Sequence, residues 1–374
     1  MKKIQMVDLN GQYKKIKPEI DKSILNVIES TSFINGPEVK KFQTELEKYL
    51  NVSNVIPCAN GTDALQIALM ALDLKPGDEV ITVDFTFAAT VEVIELLNLK
   101  SVLVDVKPDT FTIDTDAITK AITPKTKAII PVHLFGQCAD METIMEIAKK
   151  NNLFVIEDNA QAIGADYIFK DGSTKKAGTI GDIGTTSFFP SKNLGCYGDG
   201  GAIFTNNEKL GYKIKGITNH GMYKRYYHDE VGVNSRLDSI QAAILRIKLP
   251  LLDSYNQERK RVANFYNESF KDVEWIETPK IAKNSTHVFH QYTLITKGID
   301  RDKLRDFLAE NDIPAMIYYP VPLHQQKAYE QENNKSRKFP VTKMLCERVI
   351  SLPMQTELSD QQLAYIVKTV KEFK

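Results

Sequence analysis

Residues 128–158 read Ala-Ile-Ile-Pro-Val-His-Leu-Phe-Gly-Gln-Cys-Ala-Asp-Met-Glu-Thr-Ile-Met-Glu-Ile-Ala-Lys-Lys-Asn-Asn-Leu-Phe-Val-Ile-Glu-Asp. The stretch predicts a strand over 128–132, a helix over 140–151 and a strand over 153–158. Strands joined through a helix lie parallel, and strands without a polar side are covered on both faces. The alternation extends both ways. Toward the N-terminus it predicts helices at 62–74 and 88–98 and strands at 79–83 and 101–106, with Lys75-Pro-Gly-Asp78 closing the first helix. An earlier helix, 37–50, carries Val39, Phe42, Leu46 and Tyr49 at helical spacing, with Pro37 in its first turn. Toward the C-terminus, strands fit 184–189 and 201–205, and helices 236–249 and 255–270. Helices at 300–311, 341–350 and 359–373 then mix with strands at 291–296 and 315–319. The expected class is α/β. A mostly parallel central sheet occupies a large unit, residues 1–250, which begins with a helical segment, and a smaller α+β unit follows, residues 251–374.

At 374 residues the chain has material for a large core and two domains. Apolar residues make up 43% and charged residues 26%, the balance of an ordinary globular protein. Lys+Arg and Asp+Glu both number 48, so net charge gives no argument for nucleic acid or an anionic membrane as partner. Cys58, Cys138, Cys196 and Cys346 are far apart and form no CxxC pair, as expected of reduced thiols. The N-terminal Met-Lys-Lys-Ile-Gln-Met-Val-Asp has no apolar signal core, and no run approaches the ~18 apolar residues of a membrane span. The expected compartment is the cytoplasm.

Three places carry chemistry. Lys192 closes Thr-Ser-Phe-Phe-Pro-Ser-Lys, five residues after Ser187, and Phe188, Phe189 and Pro190 put an apolar wall beside it. A lysine shielded from water loses its proton more readily, and imine formation requires the unprotonated amine. Asp158 ends an apolar strand, where ligands bind in open α/β sheets. Gly61-Thr62, after Asn60, begins a helix whose free N–H groups and threonine hydroxyl suit a phosphate. A strand-end carboxylate, a loop lysine and a helix start together fit pyridoxal phosphate. The lysine forms the imine, Asp158 holds the ring nitrogen protonated and the helix start holds the phosphate. Gln161 reaches the ring hydroxyl if 158–161 forms a helical turn. Phe85 and Phe87, near another strand end, offer an aromatic face for stacking.

Other signals are ambiguous or weak. Residues 209–228 hold five Lys or Arg and no Asp or Glu, either a solvated basic face or a funnel for a diphosphate-bearing substrate. The glycines of 195–201 do not follow a strand and open a helix, which argues against a dinucleotide fingerprint. His287 and His290 lie three apart in a segment that reads as strand, with no acidic or cysteine partner at ligand spacing, so no metal is expected.

With those residues in view, the whole chain resembles the DegT-type nucleotide-sugar aminotransferases, of the aspartate-aminotransferase fold (type I of the pyridoxal-phosphate-dependent transferases). The resemblance rests on Asn60-Gly-Thr-Asp-Ala-Leu, Glu157-Asp-Asn-Ala-Gln161, Ser187-Phe-Phe-Pro-Ser-Lys192, Gly232-Val-Asn-Ser-Arg-Leu-Asp238 and Tyr319-Pro-Val-Pro-Leu-His324. It implies Lys192 as the Schiff-base lysine, Asp158 on the ring nitrogen, Gln161 on the ring hydroxyl and Phe87 stacked on the ring. It also implies phosphate contacts from Gly61, Thr62 and Ser187, and from Asn234 of a neighbouring subunit, which makes the active site a property of a homodimer. Cys58–Gln66, Gly136–Asp140, Pro190–Gly201 and Arg225-Tyr-Tyr-His228 resemble one subgroup most. That subgroup aminates the 3-keto group of a UDP-linked 2-acetamido-2-deoxy-hexuluronic acid with L-glutamate, passing through pyridoxamine phosphate and releasing 2-oxoglutarate, for surface polysaccharides such as lipopolysaccharide O-antigen. The resemblance implies substrate contacts from Arg236, given in trans and suited to a uronate carboxylate, and from Tyr318, Tyr319 and His324. The subgroup tends to carry His-Tyr-Pro where this chain has Tyr318-Tyr319-Pro320. Sugar dehydratases on the same fold replace the lysine, which Lys192 argues against. A cofactor-bound regulator would ordinarily add a DNA-binding region, and none is visible.

Overall fold

The computed structural model describes residues 3–331, 334 and 337–373. Its central sheet has seven strands: β1 (Asn54–Cys58), β2 (Glu79–Val83), β3 (Lys100–Val104), β4 (Thr126–Ile130), β5 (Phe154–Asp158), β8 (Ile183–Ser187) and β9 (Gly201–Thr205). A two-stranded hairpin, β6 (Asp166–Ile168) with β7 (Thr174–Lys176), is inserted between β5 and β8. The spatial order is β1-β9-β8-β5-β4-β2-β3. Strands β3, β2, β4, β5 and β8 run parallel, and β9 is antiparallel to both its neighbours, β8 and β1.

Alternate side chains feed two apolar layers. Ile81, Val83, Val102, Val104, Ile129 and Val155 pack with Met141, Ile144 and Ala148 of the helix Met141–Asn151. Their strand neighbours Val80, Ala128, Ile130, Ile156, Ile183 and Ile203 pack on the other face, with the helices Gly61–Ala71, Ala89–Leu96 and Glu208–Ile217. A period of two across a doubly covered sheet explains why these strands read as apolar throughout.

After a second hairpin, β10 (Met222–Lys224) with β11 (Tyr227–His228), the remaining strands form a separate antiparallel sheet in the order β12 (Ile276–Glu277), β13 (Tyr292–Thr296), β14 (Val349–Leu352). Leu294, Ile350 and Leu352 pack there against Val262, Tyr266, Leu304, Ile366 and Val370, and Ile4 from the start of the chain joins this cluster.

Several expected elements differ. Residues 315–319 form no strand: only Met316 bridges to Ser351, because Pro314 and Pro320 remove backbone donors on either side. The helix expected to 350 stops at Arg348, and the β-branched Val349 and Ile350 begin β14 instead. The residues before β13 are not strand either. Helices Leu9–Lys15, Lys17–Ser30, Thr115–Ala121 and Glu208–Ile217 and strand β1 form where the sequence pattern predicts no element.

Candidate active site

The parallel strands end on one edge of the sheet, and most of the residues singled out from the sequence meet there. At the helix start, Asn60 Oδ1 accepts the Asp63 amide at 2.8 Å and the Asn60 carbonyl accepts Ala64 at 3.1 Å. The Gly61 and Thr62 amides have no acceptor among the described residues. A Cβ on Gly61 would lie 2.7 Å from Ser187 Cβ, and one on Gly201 would lie 2.4 Å from the Asn60 carbonyl oxygen. Only glycines let the helix start press this closely on the ends of β8 and β9. Two free amides, two neighbouring hydroxyls and the positive end of a helix make an oxyanion cradle, so these residues fit the phosphate of the expected cofactor.

Asp158, 5% exposed, completes β5. Its Oδ2 accepts the Thr90 hydroxyl at 2.8 Å and its Oδ1 the Ala160 amide at 3.2 Å. Its neighbour Glu157 points the other way, into a wholly buried pocket. There it accepts the Gly178, Ile180 and Gly181 amides and meets His133 Nε2 at 2.8 Å. Because His133 Nδ1 accepts the Ala139 amide at 3.1 Å, the ring proton sits on Nε2 and is donated to Glu157. Of two adjacent carboxylates, Glu157 locks the strand end and Asp158 faces the site.

The Lys192 amine, partly buried, has no hydrogen-bond or ion-pair partner among the described residues. Desolvation lowers it from 10.5 to about 8, with the charge of Asp158 pulling the other way. Phe188 is buried against Phe42 in the cluster with Val39 and Leu46, and Phe189 is 51% exposed, so burial of Phe188 does not supply the expected apolar wall beside Lys192. Lys248, lowered to about 8 by burial, donates to the Gly195 carbonyl and ties down the loop after Lys192. His290 is buried with Nδ1 unpartnered, and desolvation, aided by the charges of Lys192 and Arg259, holds it well below the usual histidine range.

Gln161 Oε1 accepts the Phe135 amide at 2.8 Å, which directs its Nε2 to the Tyr319 hydroxyl at 3.1 Å. Tyr319 meets Phe85 edge-on at 5.9 Å and lies 6.4 Å from Phe87. Phe85 is buried and Phe87 is 58% exposed, so only Phe87 has an open face. Tyr318, its phenol pushed up by desolvation, bonds Gln291. His324 is committed to Asp84: Nδ1 lies 2.6 Å from Oδ2 and its amide donates to Oδ1 at 2.8 Å.

Asn234 is exposed, and the Arg236 side chain has no partner among the described residues. Among the described residues neither side chain hydrogen-bonds the Lys192 group, although Ser235 between them accepts the Ala59 amide at 3.1 Å. The basic stretch divides. Lys209, Lys213 and Lys215 lie on the helix Glu208–Ile217, where Lys213 pairs with Asp73, while Lys224 and Arg225 rest on Tyr227 and Tyr226 of the β10–β11 hairpin. His287 Nδ1 accepts the Phe289 amide and its ring stacks 4.0 Å from that of Phe289.

Thr90, His133 and Lys248 carry no signal in the sequence, and His290 stands out there only as a discounted metal ligand. Thr90, His133 and Lys248 each act through a partner distant in sequence, and none lies in a run that signals its contact.

Residues 14–371 match the DegT/DnrJ/EryC1/StrS aminotransferase family. This chain belongs to that family. It is 44% identical over 97% of its length, and 98% of the relative's, to the UDP-2-acetamido-2-deoxy-3-oxo-D-glucuronate aminotransferase of Pseudomonas aeruginosa. A Geobacillus stearothermophilus relative described as a pleiotropic regulatory protein is 45% identical, covering 99% and 98%. The dTDP-3-amino-3,6-dideoxy-alpha-D-galactopyranose transaminase of Aneurinibacillus thermoaerophilus is 40% identical, covering 99% of both chains. Among solved structures, DesV of S. venezuelae with a ketimine intermediate superposes with a TM-score of 0.94 at 36% identity, covering 100% and 98%. NtdA of Bacillus subtilis with bound cofactor PMP gives 0.88 at 32%, covering 96% and 81%. The expected enzyme class, fold and pyridoxal phosphate cofactor agree with these findings: the chain is a sugar aminotransferase of this family. Among the described residues, no helix is long and apolar enough to cross a membrane.

Proposed function

We propose that this aminotransferase moves an amino group from L-glutamate to the 3-keto group of a UDP-linked 2-acetamido-2-deoxy-hexuluronic acid, in the cytoplasm, as a homodimer with shared active sites that serves surface-polysaccharide biosynthesis. The observation that carries the substrate is the full-length likeness to the P. aeruginosa enzyme. Bound pyridoxal phosphate supplies an electron-withdrawing ring that acidifies the C–H beside the amine. Lys192 would be the residue that holds the cofactor through its amine and that carries the proton at the carbon beside the substrate amine. An amine brought to about 8 passes between base and acid near neutral pH. Asp158 would hold the ring nitrogen, Phe87 would cover the ring, Gln161 and Tyr319 would border the ring hydroxyl, and Gly61, Thr62 and Ser187 would take the phosphate. Tyr318 and His324 line the sugar side.

The dimer rests on a separate observation. Phe33 and Ile34 are 44% and 50% exposed, Ile34 bridges Asp238, and the Phe33 carbonyl accepts the Ser239 amide. This apolar edge therefore flanks the segment carrying Asn234 and Arg236, and a second copy of the chain would cover it and receive both residues. There, Arg236 can pair with a uronate carboxylate in bidentate fashion.

A second reading, a dTDP-linked ketosugar, is favoured by the Aneurinibacillus relative. Purified enzyme mixed with glutamate and a panel of UDP- and dTDP-linked 3- and 4-ketosugars separates the two by mass spectrometry. Amination of the UDP-3-keto-uronate ahead of the others is expected. Preference for a dTDP sugar would replace the proposed substrate, and 2-oxoglutarate formation from glutamate checks the donor.

A further inference from the structure

Thr90 lies in the first turn of the helix Ala89–Leu96 and is 1% exposed. A helical threonine ordinarily returns its hydroxyl to a carbonyl three or four residues back. Thr90 instead donates across the core to Asp158 Oδ2 at 2.8 Å, 68 positions along the chain. With the Ala160 amide on Oδ1, each carboxylate oxygen is held by one donor and the plane of the group is fixed. The rest of the segment 84–90 also borders the site: Asp84 binds His324, and Phe85 and Phe87 flank Tyr319. One short stretch thus carries both the exposed aromatic face and the hydroxyl that aims the carboxylate.

We propose that Thr90 is a positioning residue, which orients the Asp158 carboxylate toward the ring nitrogen of pyridoxal phosphate and keeps it in register with Phe87. The proposal rests on the reading of Asp158 given above. A free carboxylate samples several rotamers. A held one keeps a lone pair aimed where the ring nitrogen binds, so the benefit appears in cofactor binding and in the protonation of that nitrogen.

Thr90→Val preserves shape and removes the donor, and Thr90→Ser keeps the donor. Apo protein titrated with pyridoxal phosphate should bind about 10-fold or more weakly in Thr90→Val, the scale of one lost hydrogen bond to a charged group. Nitrogen NMR of ring-labelled cofactor should shift away from the protonated signal, and Thr90→Ser should restore both. In an Asp158→Asn background, Thr90→Val should cost no further affinity, because the two act as one unit. If Thr90→Val does not fold, Thr90→Ala carries the same comparison. Affinity and ring-nitrogen signal indistinguishable from wild type, or no rescue by serine, would overturn the proposal. Borohydride reduction and peptide mapping of the wild type keep the readings apart: no cofactor on Lys192 sinks the functional reading, whereas normal loading with an indifferent Thr90→Val sinks only the role of Thr90.

Discussion

Lys192 holds its amine where burial and a nearby carboxylate compete, and burial wins. The unfolded chain then binds more protons than the folded one between about 8 and 10.5, so the folded protein gains stability as pH rises through that interval and bears the full penalty below it. In the apo protein, the stability of Lys192→Ala relative to wild type should therefore be most favourable near pH 7 and decline toward pH 10.5. Lys248, common to both proteins, cancels. Denaturant titrations at a series of pH values measure this, and a difference flat with pH would mean that the amine is solvated. The same variant should lose the cofactor-linked absorbance and turnover. Lys192 stood out as a lysine beside aromatic residues in sequence, and the places of Asp158 and Gly61 were legible from local context, an acid ending an apolar strand and a glycine opening a helix. Thr90 and His133 were not, since their partners Asp158 and Glu157 become neighbours only when the sheet forms.

At the scale of the element, the helix Gly61–Ala71 depends on its first residue. Gly61→Ala must displace either the helix start or Ser187, because the added carbon would lie 2.7 Å from Ser187 Cβ. A cost of about 1–3 kcal/mol in stability is expected from such overpacking. The sharper consequence is selective. Pyridoxal phosphate should lose more affinity than pyridoxal, which has no phosphate to place in the cradle, and equal losses in the two titrations would remove the phosphate from this helix start. The βα alternation was readable because burial on both faces leaves continuous apolar runs. Strand β1 was hidden by Pro57, which an edge strand tolerates since β9 is its one neighbour. The helix Lys17–Ser30 was hidden by its thin buried side, Ile20 and Val27, with Leu25 and Ile28 exposed. A weak stripe gives a weak periodic signal, and packing on the helix Ser239–Lys248 supplies what the pattern lacks.

For the whole molecule, we propose that a second unit begins near residue 251. The start of the chain is fastened to it through Ile4 in its core and the Lys15–Glu357 ion pair at 2.7 Å. On the proposed reading, the active site is completed by a second copy of the chain. Lys192, Asp158 and the phosphate cradle gather within one protomer, while Asn234 and Arg236 stand apart beside an exposed apolar edge. If both serve the opposite subunit, Lys192→Ala and Arg236→Ala dimers are each inactive, having one defect in every site. A mixed dimer places both defects in one site and leaves the other whole. Random exchange makes about half of the dimers mixed, each with one working site of two, so activity should recover to about a quarter of wild type. Were Arg236 to serve its own subunit, both sites of the mixed dimer would carry one defect and nothing would return. Differently tagged subunits allow mass spectrometry to verify exchange, and proven exchange without recovery would assign Arg236 to its own protomer.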